Sequence, residues 1–358
     1  MARATAERVL LRCDASADMG AGHVMRCLAL AEALEELGHP CRFAAARLPD
    51  ALRARLEAAR FEVVALDAEP GGAEDLTATL AAAAGCAAVV LDGYQFGGEY
   101  RAGLAAAGPP VLAFDDLATL PYLHASMVVN AGPAAASMPY DRVAPGAELL
   151  LGPDYAPLRR EFRQALADPL PPISGRTGLL LTFGGTDPLG LTVPVLKRLA
   201  PALPTGVAIE VVAGGANPRL DCLRAAAGRF ANTRLHVETD RMGALMRGAG
   251  LAVSAAGGTL GELAALRVPT LLVTVADNQV PSARAAAAEG RCVTLDGRAE
   301  GAADRIADAA LSLWRDAPAR AALSARIGGT VDGQGAPRIA RALAARLRAG
   351  VTPPAASP

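Results

Sequence analysis

Met19-Gly20-Ala21-Gly22-His23-Val24-Met25-Arg26-Cys27-Leu28-Ala29-Leu30-Ala31 is the stretch that decides the fold. It follows a short apolar run, Val9 to Cys13, that reads as a strand, and it leads into a helical pattern with two glycines between. Gly20 and Gly22 can take backbone angles closed to other residues and leave no side chain between the main chain and a ligand. His23 falls in the first turn of a helix whose apolar positions, Val24, Leu28, Ala31, Leu34 and Leu37, recur at three- and four-residue steps. Gly38 marks its end. The partial positive charge of a helix N-terminus favours the neutral, proton-accepting imidazole, which makes His23 the candidate general base. The competing reading is a helix-start residue that only hydrogen-bonds its own loop.

Outward from this stretch, short β-branched and leucine-rich runs alternate with alanine-rich helical segments, the pattern of a parallel sheet covered by helices. The first half predicts strands near Val9–Cys13, Phe61–Leu66, Ala88–Leu91, Val111–Phe114 and Met127–Val129. Regular alternation then breaks. Pro153, Pro157, Pro169, Pro171 and Pro172 surround one short helical piece, Leu158 to Leu166, and mark a junction. The pattern restarts with a strand at Gly178–Phe183, a second glycine turn at Gly184-Gly185 and a helix after Pro188. Further strands are expected at Val207–Val212, Leu235–Val237, Leu251–Ser254, Thr270–Val275 and Cys292–Leu295.

The expected architecture is therefore α/β, with two Rossmann-like domains facing a cleft. The first spans 1–152, a linker 153–175, and the second 176–348. Residues 349–358, rich in proline, read as a disordered tail. In such sheets ligands bind beyond the carboxyl ends of the strands.

The second half carries its own candidate site in Ser254-Ala255-Ala256-Gly257-Gly258-Thr259-Leu260-Gly261-Glu262. A strand ends, Gly257 and Gly258 expose backbone N–H groups, and a helix begins near Thr259, a geometry that receives phosphate. Glu262, one turn on, can accept hydrogen bonds from a ribose diol or can simply be a first-turn acid that suits the helix dipole. Asp277-Asn278-Gln279 follows the next strand, so Asn278 is a candidate contact and one of the three a candidate helix cap. Gly184-Gly185-Thr186-Asp187-Pro188 either lines the cleft or is only a tight turn. In the first half, Asp92-Gly93-Tyr94 and Asp115-Asp116 end two strands on the ligand-binding edge. Tyr94 is a candidate sugar contact or a half-buried aromatic capping the sheet, and for the aspartates capping the next helix or fixing a loop is favoured over a direct catalytic role.

Composition narrows the function classes. The 358 residues suit two domains, and a formal charge of -1 argues against a general nucleic-acid binder. Six scattered cysteines, Cys13, Cys27, Cys41, Cys86, Cys222 and Cys292, read as reduced thiols of a cytoplasmic protein. The four histidines, His23, His39, His124 and His236, have no metal-ligand spacing, so no metal site is expected. Neither a signal core nor a membrane-spanning segment stands out, and no membrane insertion is expected.

Several separated segments together resemble one family. They are Arg12-Cys13-Asp14 through Gly20-Ala21-Gly22-His23 to Leu28, Asp92-Gly93-Tyr94, Asp115-Asp116, Leu151-Gly152-Pro153-Asp154-Tyr155, Thr182 to Pro188, and Ala276-Asp277-Asn278-Gln279. In these the chain resembles the UDP-2,4-diacetamido-2,4,6-trideoxy-β-L-altropyranose hydrolases of pseudaminic acid biosynthesis, over nearly its whole length. The resemblance implies a glycosyltransferase-B type architecture and a metal-independent hydrolysis of a nucleotide sugar; no cofactor is expected, and the chain is expected to be a monomer. It also implies that the histidine matching His23 activates water, with Tyr94, Glu262 and Asn278 matching sugar, uridine and substrate contacts. Gly261 stands where members often have tryptophan, Arg267 where glycine is usual and Gly93 where a larger side chain is common. Val129-Asn130-Ala131-Gly132 departs from a usual polar run. These departures leave the sugar open.

The chemistry fits the residues. A nucleoside diphosphate is a good leaving group, so one base and one phosphate cradle suffice, whereas ordinary glycoside hydrolysis normally needs two carboxylates. A glycosyltransferase on the same scaffold and a non-catalytic nucleotide-sugar binding protein remain as alternatives.

Overall fold

The computed structural model describes residues 7–16 and 19–349. The expected disordered tail therefore lies, but for Ala349, outside the described residues.

Strand β1 (Arg8–Cys13) is an interior strand of the first sheet, with Val9, Leu10 and Leu11 wholly buried, so side chains on both of its faces are covered. Around it run β2 (Cys41–Ala45), β3 (Glu62–Ala65), β4 (Cys86–Asp92), β5 (Val111–Phe114), β6 (Met127–Asn130) and β7 (Glu148–Leu151). The sheet order is β3-β2-β1-β4-β5-β6-β7, and every pairing is parallel. The connecting helices are α1 (Gly22–Glu36), α2 (Asp50–Ala58), α3 (Ala73–Ala82), α4 (Gly98–Ala107) and α5 (Tyr140–Val143). Strands β2 and β7 are additions to the sequence expectation. The Cys-Arg-Phe-Ala-Ala of β2 has no β-branched residue, and the Glu-Leu-Leu-Leu of β7 is as compatible with helix. Pairing to β1 and β6 decides both, an override of local propensity.

A second sheet holds β8 (Gly178–Thr182), β9 (Ala208–Ala213), β10 (Thr233–Val237), β11 (Ala249–Ala255), β12 (Thr270–Thr274) and β13 (Val293–Asp296). Its order is β10-β9-β8-β11-β12-β13, again all parallel. Its helices are α6 (Arg160–Ala165), α7 (Thr192–Ala202), α8 (Leu220–Ala227), α9 (Met242–Gly248), α10 (Thr259–Ala265), α11 (Val280–Ala288), α12 (Ala302–Arg315) and α13 (Ala317–Ile327).

The last helix, α14 (Gly335–Arg348), belongs with the first sheet. Ala336, Ile339, Ala340 and Leu343, at three- and four-residue steps, are buried in one cluster with Val24, Leu28 and Ala31 of α1. Burying Ile339 and Leu343 alone contributes roughly 1.5–3 kcal/mol each. Gly335 admits the close approach this needs, since a Cβ there would lie 2.1 Å from the Ala156 carbonyl oxygen. Contacts thus divide the chain into unit 1, up to Arg160 and again from Gln334, and unit 2, Glu161–Gly333. The expected second domain, 176–348, differs from this division by including α14, whose apolar stripe could not reveal from spacing which sheet it would cover. Among the described residues no helix is long and apolar enough to cross a membrane.

In both sheets the strand order reverses beside the first strand of the unit, between β1 and β4 and between β8 and β11. Loops leaving the two strands at such a point part to opposite faces and open a crevice at the carboxyl edge.

Candidate active site

At the unit 1 reversal, the loop after β1 turns back on itself through a bridge between Ser16 and Gly20, with the Gly20 N–H donating to the Ser16 carbonyl at 2.9 Å. Gly20 needs its lack of a side chain, having φ +73°. Gly22 does not: it is the first residue of α1 at ordinary angles, and a Cβ there would meet nothing within 4 Å. Leu37, expected on the apolar stripe, lies beyond the helix and is exposed. His23 is buried in the first turn, where its Nδ1 lies 2.7 Å from Oδ1 of Asp92, the last residue of β4.

Asp92 is wholly buried, and its carboxylate is shared. Arg26, one turn after His23, donates from Nε to Oδ2 at 2.5 Å and from Nη2 to Oδ1 at 2.6 Å. The Cys27 thiol lies 3.7 Å from Oδ2. Burial alone would raise the Asp92 pKa, but the Arg26 charge and His23 outweigh it and hold the carboxyl well below the usual range. An ionised carboxylate only accepts, so Nδ1 of His23 carries a proton, and in the neutral ring the lone pair is then on Nε2. Nε2 has no hydrogen-bond partner among the described residues. The sequence expectation rested on the helix end to keep the ring neutral; the structure adds a carboxylate that stabilises the charge acquired when the ring takes a proton. The pairing is that of a histidine base oriented by aspartate.

Arg26 reaches a second carboxylate. Its Nη1 donates to both oxygens of Asp116, at 2.8 and 3.0 Å, and its guanidinium lies 4.9 Å from the Phe114 ring centroid. Burial opposes the cation, but Asp116 and Asp92 outweigh it and hold Arg26 above its ordinary pKa. Burial likewise opposes ionisation of Asp116, and Arg26 overcomes it, leaving that carboxyl below its ordinary value. The half-exposed Tyr94 donates its hydroxyl to Asp116 Oδ2 at 2.7 Å, and its ring makes a T-shaped pair with that of His23, centroids 5.0 Å apart. Asp115 has the loop-fixing role: it accepts from the Tyr140 hydroxyl at 2.6 Å and from the Ala118 N–H at 2.7 Å. Asp14 is structural too, buried against Arg12, which also pairs with Asp75.

Unit 2 brings its candidates together separately. Because β11 pairs with β12, the loops after them are neighbours, and Gln279 Nε2 would lie 3.8 Å from a Cβ on Gly257. Gly258 caps α10 at ordinary helical angles, φ −55° and ψ −23°, and a Cβ on it would meet nothing within 4 Å. Neither glycine has a positive φ, so the folded chain itself makes no demand for glycine there. Thr259 and Glu262 occupy the first turn of α10, and Asn278 is exposed beyond β12. Gln279 fixes that loop by accepting from the Val275 N–H at 2.9 Å, and Asp277 pairs with Arg298. Asp187 is buried and accepts from the N–H groups of Leu191 and Thr192, both at 2.9 Å, the tight-turn role.

The sequence reading missed Arg26 as a member of the site and Asp92 as the partner of His23. The signal for Arg26 was its place one turn after His23, on the same helix face; for Asp92 it was the strand end beside β1, which only the β1–β4 pairing reveals. Among the described residues no group of three or more His, Cys, Asp or Glu could hold a metal ion.

No family model matches the chain. In sequence it is similar to the UDP-2,4-diacetamido-2,4,6-trideoxy-beta-L-altropyranose hydrolase of Campylobacter jejuni subsp. jejuni serotype O:2, 23% identical over 287 residues that cover 79% of this chain and 97% of that protein. In structure it is similar to MurG of Acinetobacter baumannii, with TM-score 0.62 and 17% identity over 95% of this chain and 99% of that one. The spinosyn rhamnosyltransferase SpnG, solved with thymidine diphosphate, gives TM-score 0.63 and 18% identity over 94% of this chain and all of that one. The fold is of the glycosyltransferase-B type. A glycosyltransferase-B type fold joins two α/β units with parallel sheets, here of seven and six strands.

Proposed function

We propose that the chain is a nucleotide-sugar hydrolase that cleaves the anomeric C–O bond of a UDP-linked amino or deoxy sugar with water, releasing UDP and the free sugar. The observation that carries the reading is the 2.7 Å contact of His23 Nδ1 with Asp92, which leaves Nε2 able to take a proton from water. The 23% identity with a UDP-sugar hydrolase over nearly that protein's full length supports the substrate class. In this reading water attacks the anomeric carbon as Nε2 removes its proton, and the C–O electron pair leaves with the diphosphate. Asp92 stabilises the imidazolium that forms. Gly20 and Gly22 let the loop main chain approach the sugar, and Tyr94 and Asn278 contact it. Gly257, Gly258 and Thr259 take the diphosphate on backbone N–H groups, and Glu262 takes the ribose.

The second reading, a glycosyltransferase, is favoured by the names of the proteins that share the fold, and it uses the same base on an acceptor hydroxyl. One experiment separates the two. Purified protein is incubated with a panel of UDP- and CMP-sugars in oxygen-18 water without acceptor. Nucleotide release with label on the anomeric hydroxyl and none in UDP supports hydrolysis at carbon. Label in phosphate overturns it in favour of a pyrophosphatase or phosphodiesterase, and release that requires an added acceptor overturns it in favour of transfer.

A further inference from the structure

Asp116 has no hydrogen bond to His23, yet it is tied to it through one guanidinium. Arg26 spends Nε and Nη2 on the two oxygens of Asp92 and Nη1 on the two oxygens of Asp116. Two carboxylates against one cation leave a single net negative charge beside the imidazole. The cluster is shielded from water: side-chain exposures are 0% for Asp92, 21% for Arg26 and 29% for Asp116. The Tyr94 hydroxyl holds Asp116 from the other side, and the Tyr94 ring lies nearly perpendicular to that of His23, centroids 5.0 Å apart. The groups facing the base are therefore Asp92 at the end of β4, Arg26 on α1, Tyr94 after β4 and Asp116 after β5. The Cys27 thiol meets Asp92, and buried Arg101 of α4 lies within electrostatic reach of Asp92 and Asp115.

Were Asp116 absent, Arg26 and Asp92 would leave the cluster around the imidazole with no net charge. Asp92 orients the ring and steadies its charge either way, and Asp116 adds to the negative charge around the ring without touching it.

We propose that Asp116 is a positioning residue that sets the proton affinity of His23 by sharing Arg26 with Asp92. This rests on the reading of His23 as the base, but its test does not need turnover. The imidazole of His23 is followed by NMR titration of histidine-labelled protein, assigned by loss of its signal in His23→Ala. Asp116→Asn, which brings the cluster to neutrality, lowers the His23 midpoint by about one pH unit. Asp116→Glu restores it. Arg26→Gln, which adds one net negative charge, raises the midpoint, and the double variant Arg26→Gln/Asp116→Asn returns it close to wild type because the net charge is again that of the native cluster.

Unchanged signals from His39, His124 and His236 report an intact fold. An unmoved His23 midpoint in folded Asp116→Asn overturns the proposal. If that variant does not fold, equal midpoints in Arg26→Gln and the double variant overturn it instead. A shifted midpoint in a protein that releases no nucleotide supports the charge sharing while removing the hydrolase reading, so the two fail separately. In an active protein the acid limb of kcat/KM follows the same order.

Discussion

Asp92→Asn is the most exacting test of the site. The substitution keeps shape and removes charge, and no orientation of the amide suits its surroundings. Oδ1 accepts from His23 Nδ1 and Arg26 Nη2, and Oδ2 from Arg26 Nε. With the amide nitrogen in the Oδ1 place, it opposes a guanidinium N–H and donates to Nδ1, which drives the imidazole proton to Nε2 and removes the base. With the nitrogen in the Oδ2 place, it opposes Nε–H, and the ring keeps its tautomer but loses the charge that steadies the imidazolium. A positioned base contributes on the order of a hundred to ten thousandfold, and kcat is expected to fall within that range. Breaking a buried charge pair costs about 3–5 kcal/mol, but Arg26 keeps Asp116 and remains about one-fifth exposed, so a loss of ~1–3 kcal/mol is expected. UDP affinity by calorimetry stays within about threefold, because the residue acts on the transition state and not on nucleotide binding. Nucleotide release within about threefold of wild type, from a variant shown by its melt to be folded, refutes the role given to the pair.

His23→Ala is expected to lose about a hundredfold or more in kcat with nucleotide affinity retained, measured by the same two assays. Gly258→Val leaves stability little changed, because the residue has helical angles and open space at its Cβ, but weakens UDP about tenfold or more by blocking the backbone; unchanged affinity moves the phosphate site elsewhere. Arg267→Gly stabilises unit 2 by about 1 kcal/mol in urea unfolding, since Arg267 holds φ +54° where glycine pays no Cβ penalty. In acid, the unfolded chain protonates the equivalents of Asp92 and Asp116 first, because both carboxyls are depressed in the fold. Their contribution is complete above the usual carboxylate range and is lost as pH falls through their folded values, so denaturant midpoints drop on acidification and drop less in Asp92→Asn.

Arg267 also shows what a sequence can and cannot disclose. It stands where glycine is usual in the family the chain resembles, and the structure gives the reason glycine is the natural choice. The Val268 N–H returns to the Leu263 carbonyl at 3.0 Å and the Arg267 N–H to Ala264 at 3.1 Å, closing α10 with its penultimate turn residue left-handed. Strands β8 and β12 of unit 2 were readable because each carries a run of leucine and valine that follows a glycine or proline break. Strand β2 was not, for its identity comes from pairing with β1. The site divides in the same way. His23 was visible because a glycine turn and a helix start are local signals. Asp92 and Asp116 are separated from it by dozens of residues and looked like ordinary strand-end acids until β1, β4 and β5 stood side by side.

That adjacency also bears on why the two glycine turns need not do the same job. Each opens a helix at a strand reversal, and a bare helix N-terminus attracts anions. At α1 this attraction is opposed by Asp92 and Asp116, held ionised by Arg26, which leave the place negative and make it a poor seat for a diphosphate. Negative charge there instead favours a group that gains a proton during reaction, the role proposed for His23. The turn at Gly257-Gly258 has no comparable pair of buried carboxylates at its mouth among the described residues; Glu262 is only partly buried and Asp277 is engaged by Arg298. On the proposed function, charge therefore suits unit 1 to proton transfer and unit 2 to phosphate, and the Asp92→Asn and Gly258→Val variants test the two roles independently, one through kcat and the other through UDP affinity.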